Sequence, residues 1–221
     1  MSIKLSSGKE IPIEMPKARM VQKISLAPVE DRLKAMAEAG YNTFLLKTKD
    51  IFLDMLTDSG VNAMSDNQFA GMIRADDAYA GSMTFYEFAE AVRDVLGYEH
   101  VMNVHQGRAA EHLIPKVLAK SGDVVPTNYH FTTTKAHMEL LGVTCLEIYI
   151  DEALNTQSAH LFKGSMDPQK LRDAIRKYGR DKIPFVRMEA TANLLGGQPF
   201  SMENLKEIKR ICTDNRIPLV I

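Results

Sequence analysis

The chain has 221 residues, of which 45% are hydrophobic and 25% charged, and its formal net charge is -1. This composition is typical of a globular protein of one or two domains, and the small net charge does not indicate binding to nucleic acid or to an anionic membrane. The sequence contains no apolar run of the roughly 20 residues that span a bilayer and no apolar signal-peptide core, and Cys145 and Cys212 predict neither a disulfide framework nor a zinc site, so we expect a cytoplasmic protein.

The first part of the chain predicts one helix after an irregular arm. Residues 1–24 carry short apolar pieces between charges and prolines. A helix is predicted over 28–39, because proline suits a first helical turn and Gly40 suits the position after the last. Residues 57–60, Thr-Asp-Ser-Gly, predict a turn.

Helices and strands alternate from residue 84 onward. Predicted helices cover 84–96, 107–120, 132–141, 167–178 and 201–215, and predicted strands cover 100–104, 123–126, 143–150, 183–189 and 217–221. Thr84 and Glu87 have capping-box spacing, and Pro115 predicts a kink or an early helix stop. The alternation predicts an α/β fold with a mainly parallel sheet, and such sheets bind ligands beyond the carboxyl ends of their strands.

Four loops therefore matter most, those that follow Val104, Pro126, Glu189 and Ile221. The last is missing, because the sequence ends on Ile221 inside an apolar predicted strand. We expect the chain to be a fragment, or one piece of a split protein.

The loop after Val104 has the features of an anion site. Gln106, Gly107 and Arg108 stand where a strand passes into a helix. Free N–H groups at a helix start, together with an arginine, bind phosphate groups. The alternative is an ordinary strand-to-helix loop with a surface arginine.

Two further loops carry a flat ring and a neutral donor. Phe131, after the strand at 123–126, could stack on a heteroaromatic ring, or be a core phenylalanine followed by a threonine cap. Asn193, after the strand at 183–189, could donate to a ring or carboxylate oxygen, or be a turn asparagine.

Tyr79 lies in a loop of small and acidic residues, Asp76 to Gly81. Beside a cationic cofactor it could act as a general acid, and the alternative is a tyrosine with only a packing role.

The three strand ends together fit a phosphorylated planar cofactor better than a dinucleotide, and the sequence has neither a GxGxxG fingerprint nor a P-loop lysine motif.

Several ordered motifs resemble the tryptophanase and tyrosine phenol-lyase family of β-eliminating lyases over nearly all of residues 29–221. The motifs are Asn42-Thr43-Phe44-Leu45-Leu46, Leu56-Thr57-Asp58-Ser59-Gly60, Asn62-Ala63-Met64-Ser65-Asp66, Ala78-Tyr79-Ala80-Gly81, His105-Gln106-Gly107-Arg108 and Gly196-Gly197-Gln198-Pro199. The resemblance implies the type I pyridoxal-phosphate (PLP) fold, which is like that of aspartate aminotransferase and incomplete here. It also implies a homotetramer built from dimers with shared active sites. Residues 1–56 would form an arm and part of a small domain, and 57–221 the N-terminal part of the large PLP-binding domain.

The resemblance implies a cofactor role for five residues. Gln106, Gly107 and Arg108 would hold the phosphate of pyridoxal 5'-phosphate, and Phe131 would stack on its pyridine ring. Asn193 would bond the phenolic oxygen of the cofactor or the carboxylate of the substrate.

Substrate roles follow from the same resemblance. Thr57 and Ser59 would line the substrate side, and Thr132 would bond a phenol hydroxyl. Tyr79 would be the general acid that protonates the leaving aromatic ring, reaching into the site of a neighbouring subunit.

The resemblance also implies a monovalent-cation site, most simply for potassium. Gly60 and Asp77 match its positions, although the family usually has Glu where this chain has Asp77.

The implied reaction is the conversion of tyrosine to phenol, pyruvate and ammonia. Thr132 favours tyrosine phenol-lyase, because tryptophanases usually carry Asp at that position. Arg187 and Glu189 depart from the apolar pattern of their strand and suggest only an interface.

The Schiff-base lysine, the carboxylate-binding arginine and the aspartate that pairs with the pyridine nitrogen would all lie after Ile221. We therefore expect this chain to be inactive until a C-terminal half, covalent or separate, completes it. The alternatives are a tryptophanase that releases indole, a cysteine desulfhydrase, and a non-catalytic truncated fragment that acts only as an association partner.

Overall fold

The computed structural model describes residues 2–4, 8–12, 25–54 and 64–221. They belong to two compact units, Met1–Val101 and Met102–Ile221. The predicted domain boundary between residues 56 and 57 lies outside the described residues and stays a prediction, as does the predicted turn at 57–60.

The first unit combines a small sheet with three helices. Strand β1 (Ser2–Lys4) pairs antiparallel with β2 (Glu10–Pro12). The helices, each followed or preceded by short turns, are α1 (Val29–Glu38), α2 (Asp66–Arg74) and α3 (Met83–Leu96). Helix α1 confirms the helix predicted after the N-terminal arm.

Helix α3 begins differently from the sequence prediction. The predicted capping box of Thr84 and Glu87 is wrong, because the helix starts at Met83 and is capped from outside by Asp76. The N–H groups of Met83 and Thr84 each donate to the Asp76 carboxylate at 2.8 Å. A carboxylate accepts two amides at once and its charge suits a helix N-terminus, so it replaces the threonine cap.

The helices of the first unit present apolar side chains to solvent. Within the described part of the unit, neither α1, α2 nor α3 contains a buried residue. Leu33 is 65% exposed, Phe69 54% and Phe88 47%. Exposed apolar surface of this extent is typical of a face that another protein surface covers.

The second unit is built on a four-stranded parallel sheet, which confirms the predicted α/β class. Its strand order is β4-β3-β5-β6. The strands are β3 (Val124–Thr127), β4 (Thr144–Glu147), β5 (Val186–Arg187) and β6 (Leu219–Val220), and the helices are α4 (Gly107–Leu118), α5 (Thr132–Leu140), α6 (Pro168–Tyr178) and α7 (Met202–Asp214).

Helices cover both faces of this sheet. Successive residues of a strand point to opposite faces of the sheet. Phe185, directly before β5, joins a cluster with Met138 of α5 and Ile114 of α4. Val186, the first residue of β5, joins a cluster with Leu171 of α6 and Ile208 of α7. The second unit is therefore a three-layer α/β/α arrangement with one core on each side of the sheet.

Two sequence predictions are corrected in the second unit and at its start. No strand forms over 100–104 in the described structure, and Met102 is 87% exposed. A strand requires a neighbour with which to form hydrogen bonds, and the described sheet ends at β4 and β6. Pro115 does not end α4 early, because the helix continues to Leu118 with Pro115 buried inside it. No helix in the described part of the chain is both long and apolar enough to cross a bilayer.

Candidate functional site

The start of α4 offers an open anion-binding surface. Gln106 is the N-cap residue in extended conformation, and it, Gly107 and Arg108 are all exposed. Among the described residues, no atom would lie within 4 Å of a Cβ added at Gly107. First-turn amides need a partner from outside the helix, and the adjoining guanidinium adds positive charge. The segment therefore has the chemistry of a phosphate site.

A carboxylate bridge joins α4 to the first turn of the helix that Phe131 precedes. Phe131 is the half-buried N-cap residue of α5. The hydroxyls of Thr133 and Thr134 each donate to one oxygen of Glu111 at 2.5 Å. Because Glu111 lies one turn after Gly107, the bridge holds the start of α5 against the start of α4.

Thr132 and Asn193 are both exposed at the carboxyl edge of the sheet. Thr132 is the first residue of α5, directly after Phe131. Asn193 begins a short 3-10 turn after β5, and the loop around it closes where the Ala192 N–H donates to the Gln198 carbonyl at 2.9 Å.

Asn128 joins the ends of β3 and β5. Its side chain is fully buried. The amide nitrogen donates to the carbonyls of Gly164 at 2.8 Å and Glu189 at 3.0 Å, and the amide oxygen accepts from the Glu189 N–H at 2.7 Å. The loops that lead to Phe131 and Asn193 therefore start from one fixed point.

Arg187, the last residue of β5, forms an ion pair with Glu189, two residues further along the chain, and their side chains are 14% and 15% exposed. Residues two apart in a strand share a face. The two charges that depart from the apolar pattern of the strand thus pair with each other within the chain, and the suggested interface stays a prediction.

A polar and aromatic cluster flanks the end of β4. His130 Nδ1 lies 2.5 Å from a carboxylate oxygen of Glu147, and Lys135 Nζ lies 3.6 Å from the same oxygen. The ring of Tyr129 stacks on His130 with centroids 5.1 Å apart. Burial, and then the Glu147 carboxylate, raise the pKa of Tyr129.

The remaining predicted site residues belong to the first unit. Tyr79 is fully exposed and Asp77 is exposed in the same loop. Thr57, Ser59 and Gly60 lie outside the described residues. Among the residues that are described, no three His, Cys, Asp or Glu side chains converge as a metal site.

Comparison with known proteins gives the family. The model of the beta-eliminating lyase family matches residues 54–221. The chain belongs to this family. The resemblance found in the sequence motifs is thereby confirmed.

Two curated relatives of this lyase chain carry the name tyrosine phenol-lyase. The chain is 47% identical to that of Symbiobacterium thermophilum over 196 residues, which is 89% of this chain and 43% of the relative. It is 44% identical to that of Pasteurella multocida over 212 residues, 96% of this chain and 46% of the relative. The chain spans less than half the length of both relatives.

A solved structure supports the predicted fold of the lyase chain. Cystalysin from Treponema denticola, whose structure contains a pyridoxal 5'-phosphate cofactor, matches with a TM-score of 0.50 and 14% identity. The match covers 68% of this chain and 37% of cystalysin. The chain thus has the α/β fold of type I PLP-dependent enzymes, and only part of it.

Sequence reasoning missed two residues of the lyase chain that hold the predicted loops in place. Asn128 directly follows a buried strand, and nothing local in the sequence distinguishes it from a turn asparagine. Glu111 lies one turn into α4, and its partners are two hydroxyls of the Thr132–Thr134 run.

Proposed function

We propose that this chain forms the N-terminal, cofactor-binding part of a PLP-dependent lyase that converts tyrosine to phenol, pyruvate and ammonia. The observation that carries the proposal is the bridge from Glu111 of α4 to Thr133 and Thr134, which joins α4 to the first turn of α5, the helix that Phe131 precedes at the carboxyl edge of a parallel sheet. The curated relatives named tyrosine phenol-lyase support the choice of reaction. Since the chain spans less than half of each relative, the proposal concerns the chain completed by a C-terminal part.

The residues at the sheet edge fit pyridoxal 5'-phosphate. A phosphate needs N–H donors and positive charge, which Gly107 and Arg108 offer beside Gln106 at an open helix start. A pyridine ring needs a flat apolar neighbour, and Phe131 stands half-buried within the bridged region. Asn193 would donate its amide N–H to the phenolic oxygen of the ring or to the substrate carboxylate. When bound, the cofactor supplies an electron sink for the carbon next to the amino group.

Tyr79 would supply a proton to the departing ring. Its phenol is fully exposed on its own unit, which suits a side chain that enters the site of a neighbouring subunit. The hydroxyl of Thr132 would bond the phenol hydroxyl of the substrate, and Thr57 and Ser59 would line the substrate. A homotetramer in the cytoplasm, with potassium held by Gly60 and Asp77, completes the proposal.

Tryptophan and cysteine are the alternative substrates. Thr132 is exposed at the edge and carries a hydroxyl that can both donate to and accept from a phenol hydroxyl, whereas an indole offers it only a donor and a thiol only a weak partner. We therefore rank tyrosine first, tryptophan second and cysteine third.

A non-catalytic association partner is the second candidate function. The exposed apolar side chains of α1, α2 and α3 favour it, since such a surface is typical of one that binds another polypeptide. It predicts a chain that neither binds PLP nor turns over any of the three amino acids.

Intact mass and an absorbance spectrum between about 330 and 430 nm test the proposal first. A second polypeptide with a PLP band that borohydride fixes onto it supports a split lyase, and pyruvate release from tyrosine, tryptophan and cysteine then ranks the substrates. Arg108→Gln should weaken PLP binding by at least about tenfold, because a charged hydrogen bond to phosphate is lost. The control is Arg176→Gln, an exposed residue that pairs with Asp173 on α6. A single chain without a PLP band would leave the association partner as the function.

A further inference from the structure

We infer that Asn128 is a positioning residue, which fixes the loop carrying Asn193 against the loop carrying Phe131. The importance of those two residues rests on the proposed function, while the contacts of Asn128 do not. The inference adds to the reaction a residue that touches neither substrate nor cofactor and acts through the two loops.

The side chain of Asn128 continues the sheet where the main chain leaves it. Strands β3 and β5 are in register at Thr127 and Arg187. Directly after Thr127, the Asn128 side-chain amide accepts from the Glu189 N–H and donates to the Glu189 carbonyl, as a residue of an antiparallel hydrogen-bonded pair would do. The main chain after Thr127 is thereby free to turn, and the Thr127 hydroxyl donates to the Tyr129 carbonyl at 2.9 Å within that turn.

The same side chain also reaches the returning limb of the Asn193 loop. Its second N–H donates to the Gly164 carbonyl at 2.8 Å, and the Gly164 N–H donates to the Pro199 carbonyl at 2.9 Å. The two segments are in close contact, because a Cβ built at Gly164 would lie 2.2 Å from the Gln198 carbonyl oxygen. Asn128 therefore holds the outgoing limb at Glu189 and the returning limb through Gly164.

Burial makes these bonds difficult to replace. Asn128 is fully buried, and without its amide the Glu189 N–H and carbonyl and the Gly164 carbonyl lose their partner in the interior. An unsatisfied buried group is expensive, so the loop would move until water satisfies it. Asn128 is three residues before Phe131, and Glu189 is four residues before Asn193, so such a move changes the relative position of both.

Hydrogen exchange of the 221-residue chain tests the inference, with Asn204→Ala as a matched control. The Asn204 side chain also binds both backbone groups of one residue, accepting from the Met166 N–H at 3.1 Å and donating to its carbonyl at 2.7 Å. For Asn128→Ala we expect exchange to rise by at least about tenfold over both 189–199 and 129–133. For Asn204→Ala the rise should stay around Met166 and the start of α7. A rise confined to the Glu189 amide in Asn128→Ala overturns the inference.

The wild-type chain provides a second measurement that does not depend on a variant folding. Its Glu189 amide should exchange as slowly as the amides of β3, since the acceptor is a buried side chain. Exchange of this amide at the rate of an exposed loop would overturn the inferred positioning role of Asn128.

Titration with PLP then separates this inference from the proposed function. If the affinity for PLP is at least about tenfold lower in Asn128→Ala than in Asn204→Ala, the result supports both the positioning role and the proposed function. Equal affinities in the two variants reject the positioning role and keep the cofactor site. Absence of PLP binding by the wild-type chain rejects the proposed cofactor site for this chain alone. The hydrogen-exchange experiment then decides whether Asn128 positions the two loops.

Discussion

Asp76 and Thr84 bond to each other in both directions across the loop that carries Tyr79. The Thr84 N–H donates to the Asp76 carboxylate at 2.8 Å, and the Asp76 N–H donates to the Thr84 hydroxyl at 3.0 Å. The Ser82 hydroxyl adds a further bond to the carboxylate at 2.9 Å. The Thr84 hydroxyl also donates to the carboxylate. The bonds to the carboxylate, of which that from the Thr84 hydroxyl has the largest effect, hold the pKa of Asp76 well below its usual range.

Asp76→Asn should therefore lower the melting temperature in a pH-dependent way. Since the folded pKa is depressed below the ordinary value of 3.8, the stabilisation is complete above that value and is lost as pH falls through the folded pKa. The difference in melting temperature between wild type and variant should shrink from about pH 6 to about pH 2, as followed by circular dichroism. Asp77→Asn, in the same loop, controls for the loss of one charge. A difference that stays constant over this range would show that the charge of Asp76 is not the stabilising feature.

Thr134→Val should destabilise the second unit by about 1.5–3 kcal/mol, the usual contribution of a hydrogen bond to a charged group. Thr134 is buried, and its hydroxyl donates to Glu111 at 2.5 Å. Urea unfolding measures the change. Thr213→Val is the control, because that exposed hydroxyl donates to a carbonyl of its own helix, that of Lys209, and its loss should cost no more than about 0.5 kcal/mol. Equal effects of the two variants would mean that the bridge to Glu111 adds no stability.

Arg187→Met should be among the most destabilising single changes at the sheet edge, by about 3 kcal/mol, because it leaves the Glu189 carboxylate largely buried without its partner. The double variant Arg187→Met, Glu189→Gln should recover much of that loss, since no unpaired charge remains. The exposed pair Arg176 and Asp173 is the comparison, for which a double-mutant cycle should give about 0–1 kcal/mol. If the stability lost in the double variant equals the sum of the losses in Arg187→Met and in Glu189→Gln, the two side chains are not coupled.

Local signals were sufficient for most of the fold, and long-range contacts explain the rest. The helix at 168–178 was predicted correctly because Asp167 caps it through the N–H groups of Gln169 and Lys170, all within three residues. The strand predicted over 100–104 is absent because a strand depends on a neighbour elsewhere in the chain. The cap of α3 comes from Asp76, outside the short spacing of a capping box.

The residues of the candidate site also differ in whether their signals are local or depend on distant partners. The positions of Gly107 and Phe131 beside helix starts could be predicted from local sequence, while their cofactor roles stay a prediction. Asn128 could not, because its partner Glu189 lies 61 residues away and nothing local distinguishes it from a turn asparagine. The residues proposed to bind a ligand are thus easier to find from sequence than those that hold the loops in position.

Both cysteines should react slowly in the folded chain. Burial raises the pKa of Cys145 and of Cys212 to about 11, and only the thiolate is nucleophilic. Labelling with iodoacetamide near neutral pH should therefore be slow in the native chain and should become fast in denaturant. Rapid native labelling of Cys212, which is fully buried, would reveal local opening of the helix α7 region.

Tyr79→Phe should separate proton donation from binding once the chain is completed by a C-terminal part. Loss of a general acid lowers turnover by about 10²–10⁴-fold, so pyruvate release from tyrosine should fall by at least that lower bound. Release from β-chloroalanine should stay unchanged, because chloride leaves without a proton. Tyr86→Phe, an exposed tyrosine on α3, controls for the loss of a surface hydroxyl. If tyrosine and β-chloroalanine lose activity equally, Tyr79 positions the substrate instead of protonating the ring, and full activity on tyrosine would remove it from the reaction.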